Sequence, residues 1–434
     1  MQFIVHNFGC RASQSDGAAL ESLLLRQGYR AACDAAHAEL VVLNTCTVTA
    51  AADEDARAAI RRVRRHNPDA RILVTGCYAQ RAPEEVASLD GVTWVVGNSH
   101  KTFVGDIVEQ HAGAAPYHGQ IHVGDIFAQR EFLASPVEEA AGDRTRPNLK
   151  IQDGCNNRCS FCVIPSVRGP SRSASPEQVI GQMRSLGERY REVVLSGINL
   201  GRWGRDLTPR MRLAELLRRV LAETPVERVR LSSVEPMDFT DELLELMASS
   251  PRIARHVHAP LQSGSDAVLR RMRRRYRARH YEDRILRARR LMPESAIGAD
   301  VMTGFPGETD VEFEENRRFI ESLPFTYLHV FTYSERPGTA AASRDAAVPV
   351  PVRRERTRIL RELAAAKNLE FRRSMVGHRF PVVTIQDGVA ALSGNYLKVE
   401  LAARREPNRL LEVAIGGLTA AGLAEANPLR VLAS

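Results

Sequence analysis

Six of the chain's seven cysteines fall into two sets of three. Cys155, Cys159 and Cys162 stand in a single run, Cys-Asn-Asn-Arg-Cys-Ser-Phe-Cys, a C-x3-C-x2-C spacing. Thiolates so spaced can hold three irons of a cubane cluster, and with no fourth cysteine nearby one iron stays open. An open iron can chelate the amino and carboxylate groups of S-adenosylmethionine (SAM), the arrangement for reductive cleavage to a carbon radical. Zinc is the competing reading, but structural zinc takes four protein ligands, and the missing one would have to come from another part of the chain. Cys10, Cys46 and Cys77 are far apart in sequence. Cys33, in Ala31-Ala32-Cys33-Asp34, reads as a plain thiol behaving as a small hydrophobe.

The elements that must position these thiols follow from the apolar runs. Up to about residue 125, short buried strands at Phe3 to Val5, Leu40 to Leu43, Ile72 to Val74 and Trp94 to Val96 alternate with helices at Ser15 to Gln27, Asp53 to His66 and Pro83 to Ser88. Such alternation predicts a parallel sheet covered by helices. Cys10, Cys46 and Cys77 each follow one of these strands within a few residues. Ligands of open α/β sheets bind beyond the carboxyl ends of strands, so the three thiols can meet in one place.

Between 147 and 345 the alternation resumes, with strands expected at Leu149 to Gln152, Glu192 to Leu195, Arg228 to Leu231, His256 to His258, Ile297 to Val301 and Leu328 to Thr332. Six βα units are too few for a closed eight-fold barrel, so a partial, open (β/α)6 barrel is expected, with its site at the strand carboxyl ends. Residues 126–146 read as a linker. An Arg-rich helix at 346–375 leads to residues 376–434, whose short alternating runs predict a small β-barrel. The expected plan is therefore α/β: an N-terminal parallel unit (1–125), the linker, a barrel core (147–345), the connecting helix and a β-tail. The turn Gly304 to Glu308 reads equally as a tight turn or as part of the site. The run Arg270 to Arg279 reads foremost as a solvated helix face, and His256 and His258 as structural.

Hydrophobic residues make up 44% of the chain and charged ones 26%, which excludes wholesale disorder. The net charge is +8 and nearly all of the positive charge is Arg, lysine occurring only at 101, 150, 367 and 398. Arg forks suit phosphate, so an RNA or nucleotide partner is favoured, although a high-GC genome gives the same composition. No stretch is long and apolar enough for a membrane span, and Met1 to Cys10 lacks the features of a signal peptide. A cytoplasmic location is expected. Thiols there stay reduced, which points the cysteines to metal ligation or catalysis rather than disulfides.

With Phe161 before the third cysteine, the run at 155–162 resembles the signature of the radical-SAM superfamily. Phe8-Gly9-Cys10, Asn44-Thr45-Cys46-Thr47-Val48-Thr49 and Val74-Thr75-Gly76-Cys77-Tyr78-Ala79-Gln80 resemble the three cysteine segments of its methylthiotransferase family. Arg168-Gly169, Leu195 to Asn199, Pro260 to Ser265, Arg271 to Arg274 and Gly304 to Thr309 carry the likeness to about residue 340. The resemblance implies a second [4Fe-4S] cluster on Cys10, Cys46 and Cys77, besides the one on Cys155, Cys159 and Cys162, and SAM as co-substrate. Phe161, Ser196, Gly197, Glu235, Gln262 and Asp300 are the expected SAM-pocket residues. The wording around Cys46 and Cys77 is most similar to the branch acting on N6-threonylcarbamoyladenosine in tRNA. That branch implies hydrogen abstraction from C2 of the adenine next to the anticodon (position 37), sulfur insertion and methylation by a second SAM, with external electron and sulfur donors as partners. The rival branches act on isopentenyl-adenosine tRNA or on an aspartate of a ribosomal protein, and a zinc-holding, non-enzymatic RNA-binding protein is the rival of another class. The chain departs from the family at Arg172-Ser173-Ala174, where Arg-Ser-Arg is usual, and its tail only loosely resembles an RNA-binding TRAM barrel, through Gly388 and Ser393 to Val399.

Overall fold

The computed structural model describes residues 1–110, 119–129, 132, 145–385 and 387–426. Strands Gln2–Asn7, Leu40–Thr45, Arg71–Gly76 and Val92–Gly97 pair in parallel, with Arg30–Ala31 added beyond Gln2–Asn7 and Gln120–His122 beyond Val92–Gly97. All six residues of Leu40–Thr45 are buried because helices cover both faces. Val41 and Leu43 pack with Ala56, Ile60 and Val63 of helix Ala50–His66, while Leu40 and Val42 pack with Leu20 and Leu24 of helix Arg11–Arg26. This period of two feeding two cores is why the strand reads as a continuous apolar run. The two edge strands were not expected from sequence: they are short and largely exposed, and carry no such run.

The central region holds strands Asn148–Asp153, Glu192–Gly197, Arg228–Leu231, His256–His258, Ala296–Thr303 and Tyr327–Thr332. The first three and the last three each form a parallel group. The groups are joined where Val229 N–H donates to the Arg252 carbonyl (2.7 Å) and Ala254 N–H to the Val229 carbonyl (2.9 Å). Helices such as Pro176–Arg189, with its Ser175 capping box, cover the outside over one continuous apolar core. The expected partial barrel is therefore present, with one addition: Arg172–Ser173 pairs antiparallel with Asn148–Asp153. Ala174, at the departure from Arg-Ser-Arg, is buried, and its carbonyl accepts from the indole of fully buried Trp203 (3.0 Å). An arginine there would have to enter the apolar core that Ala174 shares with Trp203.

Most of the expected linker, residues 130–131 and 133–144, lies outside the described residues. Its ends are packed: Ile126 is buried and the Gln129 carbonyl accepts from Arg172 (3.4 Å). Helix Val350–Ser374 leads to a closed barrel of strands Arg379–Ile385, Ala390–Ser393, Lys398–Glu400, Leu423–Glu425 and Leu410–Leu418. The barrel sits on the central region through Arg228 and Arg230. Their guanidinium groups donate to the carbonyls of Pro381, Leu392, Ser393 and Gly394 at 2.9–3.1 Å.

Candidate active site

The run at 155–162 leaves strand Asn148–Asp153 through Gly154, whose φ of +68° and close approach to the Pro170 carbonyl leave no place for a side chain. Cys155 N–H donates to the Gly169 carbonyl (3.0 Å), and the loop is pinned again where the Ser160 hydroxyl donates to the Arg271 carbonyl (2.8 Å). The sulfurs then receive donors: Asn157 N–H (3.4 Å) and the Asn199 amide (3.7 Å) at Cys155, and Arg274 Nη1 (3.2 Å) at Cys159. Arg274 also pairs with Glu235. Burial pushes the Cys155 thiol up and the Cys162 thiol up to about 12, with the neighbouring sulfurs adding to the rise. Three crowded, partly buried thiols, of which Cys155 and Cys162 resist ionising, call for a cationic occupant. Beside them the Ser196 and Ser232 hydroxyls and the Asn199 amide oxygen are buried without a hydrogen-bond partner. A polar ligand seated at these strand ends would satisfy them.

Cys10, Cys46 and Cys77 come together at the carboxyl ends of three neighbouring strands. Gly9, at φ +94°, lies against Cys46 so closely that a Cβ on it would stand 2.5 Å from the Cys46 Cβ. Cys10 is the N-cap of helix Arg11–Arg26 and Cys77 opens the short helix Cys77–Arg81. Burial, then the Cys77 and Cys10 sulfurs, push the Cys46 thiol up to about 12. Asn98 reaches the Cys77 sulfur (3.6 Å) while its amide also donates to the Val167 carbonyl of the central region (2.8 Å), tying the two units at the site.

Between the two trios lies a buried ion cluster. Asp16 pairs with Lys101, Lys150 and Arg168; Asp153 pairs with Lys150, Arg168 and Arg172. Burial opposes ionisation of both carboxyls, but these cations hold them well below the usual range. Two carboxylates against four cations leave an excess of two positive charges. Burial alone would lower the Arg168 guanidinium; the Cys77 sulfur, Asp153, Asp16 and the Cys10 sulfur reverse this and raise it. The excess charge faces the thiols of the second trio, and a thiolate-ligated cluster is the kind of anionic group it suits.

Among the expected SAM-pocket residues, Ser196, Gly197 and Glu235 lie at ends of strands beside the first trio, Glu235 through Arg274. Phe161 packs edge-on against Phe305 of the Gly304 to Glu308 turn (6.5 Å, 79°), which places that turn under the cysteine run. Gln262 takes a positive φ of 65° and its N–H donates to the Asp300 carbonyl (2.8 Å). The Asp300 carboxylate is engaged by His258 and His329 at 3.2 Å each. His256, buried, hydrogen-bonds Tyr327 (2.7 Å) and stacks on Tyr396, as a structural residue would. Cys33 is exposed and belongs to neither trio. Sequence reasoning missed Asp16, Asn98, Lys101, Lys150 and Asp153, and placed Arg274 on a solvated face although its side chain is only 5% exposed. The one signal that could have singled out two of them was the scarcity of lysine: Lys101 and Lys150, half of all the lysines, are both in the ion cluster.

The profile of the radical SAM superfamily matches residues 149–320, and that of a family described only as uncharacterized protein family UPF0004 matches residues 2–97. The chain is 36% identical to the threonylcarbamoyladenosine tRNA methylthiotransferase of Aquifex aeolicus, over 96% of this chain and 100% of that one. It is 38% identical to the enzyme of the same name from Bacillus subtilis (91% and 89% covered). It is 34% identical to a tRNA-2-methylthio-N(6)-dimethylallyladenosine synthase of Syntrophobacter fumaroxidans (84% and 81%). Among solved structures, the radical S-adenosylmethionine methyltransferase TsrM of Kitasatospora setae shares the fold, with a TM-score of 0.55 and 16% identity over 79% of this chain and 76% of that one. By its likeness along nearly the whole length, the chain belongs to the radical-SAM methylthiotransferase family, a family of enzymes using SAM and a [4Fe-4S] cluster.

Proposed function

We propose that this enzyme converts N6-threonylcarbamoyladenosine at position 37 of tRNA to its 2-methylthio derivative. The observation that carries the reading is the near full-length identity to relatives of that name, at 36% and 38%. The two cysteine trios, each placed beyond the carboxyl ends of parallel strands, support it. Cys155, Cys159 and Cys162 would hold the SAM-cleaving cluster, and Cys10, Cys46 and Cys77 a second one. When bound, the first supplies the electron that cleaves SAM, and the second an open iron for the sulfur to be transferred. C2 of adenine bears a hydrogen that is not acidic, so acid-base side chains would not suffice to activate it.

The chain's own groups have definable tasks. Arg274 and Asn199 donate to sulfurs of the first trio, which stabilises their thiolate form and fixes their orientation. Ser196, Ser232 and Glu235 offer polar groups to SAM at the strand ends. Asn98, Ser13 and the excess charge around Arg168 do the same for the second trio; the Ser13 hydroxyl lies 3.7 Å from the Cys10 sulfur. tRNA, an electron donor and a sulfur donor are the partners. The test is mass spectrometry of tRNA nucleosides from cells with and without the gene. Loss of 2-methylthio-N6-threonylcarbamoyladenosine, with its unmethylthiolated parent accumulating, is expected; unchanged tRNA overturns the reading.

A further inference from the structure

The last three barrel strands carry a polar cluster on the face turned away from the helices. Val257, Ala299, Val301 and Val330 point into the helix-side core. By the two-residue period of strands, His258, Asp300 and His329 point to the barrel's inner face. Asp300 and His329 are register partners on neighbouring parallel strands, and His258 sits one strand further on, opposite Gly298. His258 Nε2 lies 3.2 Å from one oxygen of Asp300, His329 Nδ1 lies 3.2 Å from the other, and the donor atoms all fall within 4.8 Å of one another.

We propose that His258, Asp300 and His329 form a divalent-cation site inside the open barrel, separate from both cysteine trios. Two imidazoles and one carboxylate grouped on one side are a donor set for first-row transition cations that leaves coordination positions open. Ligand atoms about 2.1 Å from such a cation stand roughly 3.0–3.4 Å apart, which each imidazole meets at 3.2 Å with its own oxygen of Asp300, so the carboxylate would bind through both oxygens. His329, with 52% of its side chain exposed, is free to close the remaining gap. The supporting shell is in place. His258 Nδ1 lies 2.8 Å from the Tyr327 hydroxyl, so it can donate there and leave Nε2 unprotonated for the metal. Tyr327 is in turn held by His256 (2.7 Å). The alternative, a metal-free chain in which His258 and His329 hydrogen-bond the carboxylate, uses the same atoms, so direct measurement decides.

Resting on the proposed function, the site has a task. The threonylcarbamoyl group carries a carboxylate, which a bare Asp300 in the cavity wall would repel. A bound dication reverses the sign of that wall and offers open positions to the substrate's carboxylate, which an isopentenyl group lacks. The site would thereby select the substrate branch.

The test uses the cluster-loaded enzyme and Mn2+, read by loss of the free Mn2+ signal in electron paramagnetic resonance. About one Mn2+ bound per chain is expected, with affinity lowered about tenfold or more in His329→Ala and in Asp300→Asn at unchanged iron content. No bound Mn2+, or binding that both variants retain, overturns the site. Adding Mn2+ should also lower KM about tenfold for tRNA bearing threonylcarbamoyladenosine and leave it unchanged for isopentenyl-adenosine tRNA. Mn2+ binding without that difference overturns the selection role. If neither tRNA is turned over while Mn2+ still binds, the functional reading fails and the metal site stands.

Discussion

At the scale of single residues, the proposed function divides the chemistry between the two trios. The Cys10 thiol belongs to the N-terminal sheet and makes no hydrogen bond to the run at 155–162 among the described residues. Cys10→Ala is therefore expected to retain SAM cleavage while thiolation is abolished, checked by 5′-deoxyadenosine formation beside nucleoside analysis. Loss of both activities in a folded protein with its first cluster intact would refute that division. Arg274 is a different kind of residue, because it neutralises Glu235 while donating to Cys159. Removing one partner of a largely buried pair costs about 3–5 kcal/mol. Arg274→Gln should therefore lower the melting temperature measurably, and an unchanged melting curve would show that Glu235 is solvated instead. The cysteines were legible in the sequence because their types and spacing are themselves the signal. Arg274 was not, because it stands among arginines at 270, 271, 273, 275, 277 and 279 and only packing tells which one turns inward.

At the scale of elements, the barrel strands were readable from apolar runs, and the observed bounds lie within a few residues of the expected ones. What the runs could not give was the charged clamps between units, since each clamp joins residues remote in sequence. Glu192 opens a central strand and is fully buried, paired with Arg228 at 2.6 Å, Arg230 at 2.8 Å and Arg146 at 3.2 Å. The same two strand arginines hold four carbonyls of the C-terminal barrel. Burial works to raise the Glu192 carboxyl, but Arg230 and Arg228 outweigh it and hold it well below the usual range. A group depressed on folding contributes stability that is fully present above its unfolded value of about 4.3 and is lost as pH falls through its folded value. Acid should thus loosen this junction below about pH 4, and Glu192→Gln should loosen it at neutral pH. Limited proteolysis should then cut between the connecting helix and the C-terminal barrel faster than in the parent protein. Equal cutting rates would mean that the apolar contacts of Phe371, Met375 and Phe380 hold the barrel unaided.

At the scale of the whole molecule, the N-terminal sheet, the central barrel and the C-terminal barrel are tied to one another by charged and polar contacts. Asp16 draws the first two together through Lys150 and Arg168, and Arg11 of the N-terminal helix donates to the Tyr396 hydroxyl of the third (3.1 Å). No helix among the described residues is long and apolar enough to cross a membrane. The TRAM-like tail departs from its family in sequence, yet it closes into a barrel that leaves Lys398 and Arg404 exposed. If this surface tracks the tRNA backbone, binding must be salt-dependent, because each neutralised phosphate releases counterions. The slope of log affinity against log salt falls by roughly 0.7–0.9 for each such contact removed. Lys398→Glu and Arg404→Glu should each weaken tRNA binding at low salt, flatten that slope by about that amount, and lose their effect as salt rises. Filter binding across a salt series decides the matter. Unchanged slopes in both variants would assign tRNA capture to the arginines of the central barrel and the long helix, and would leave the C-terminal barrel a packing role, with Tyr396 stacked on His256 and under Arg230.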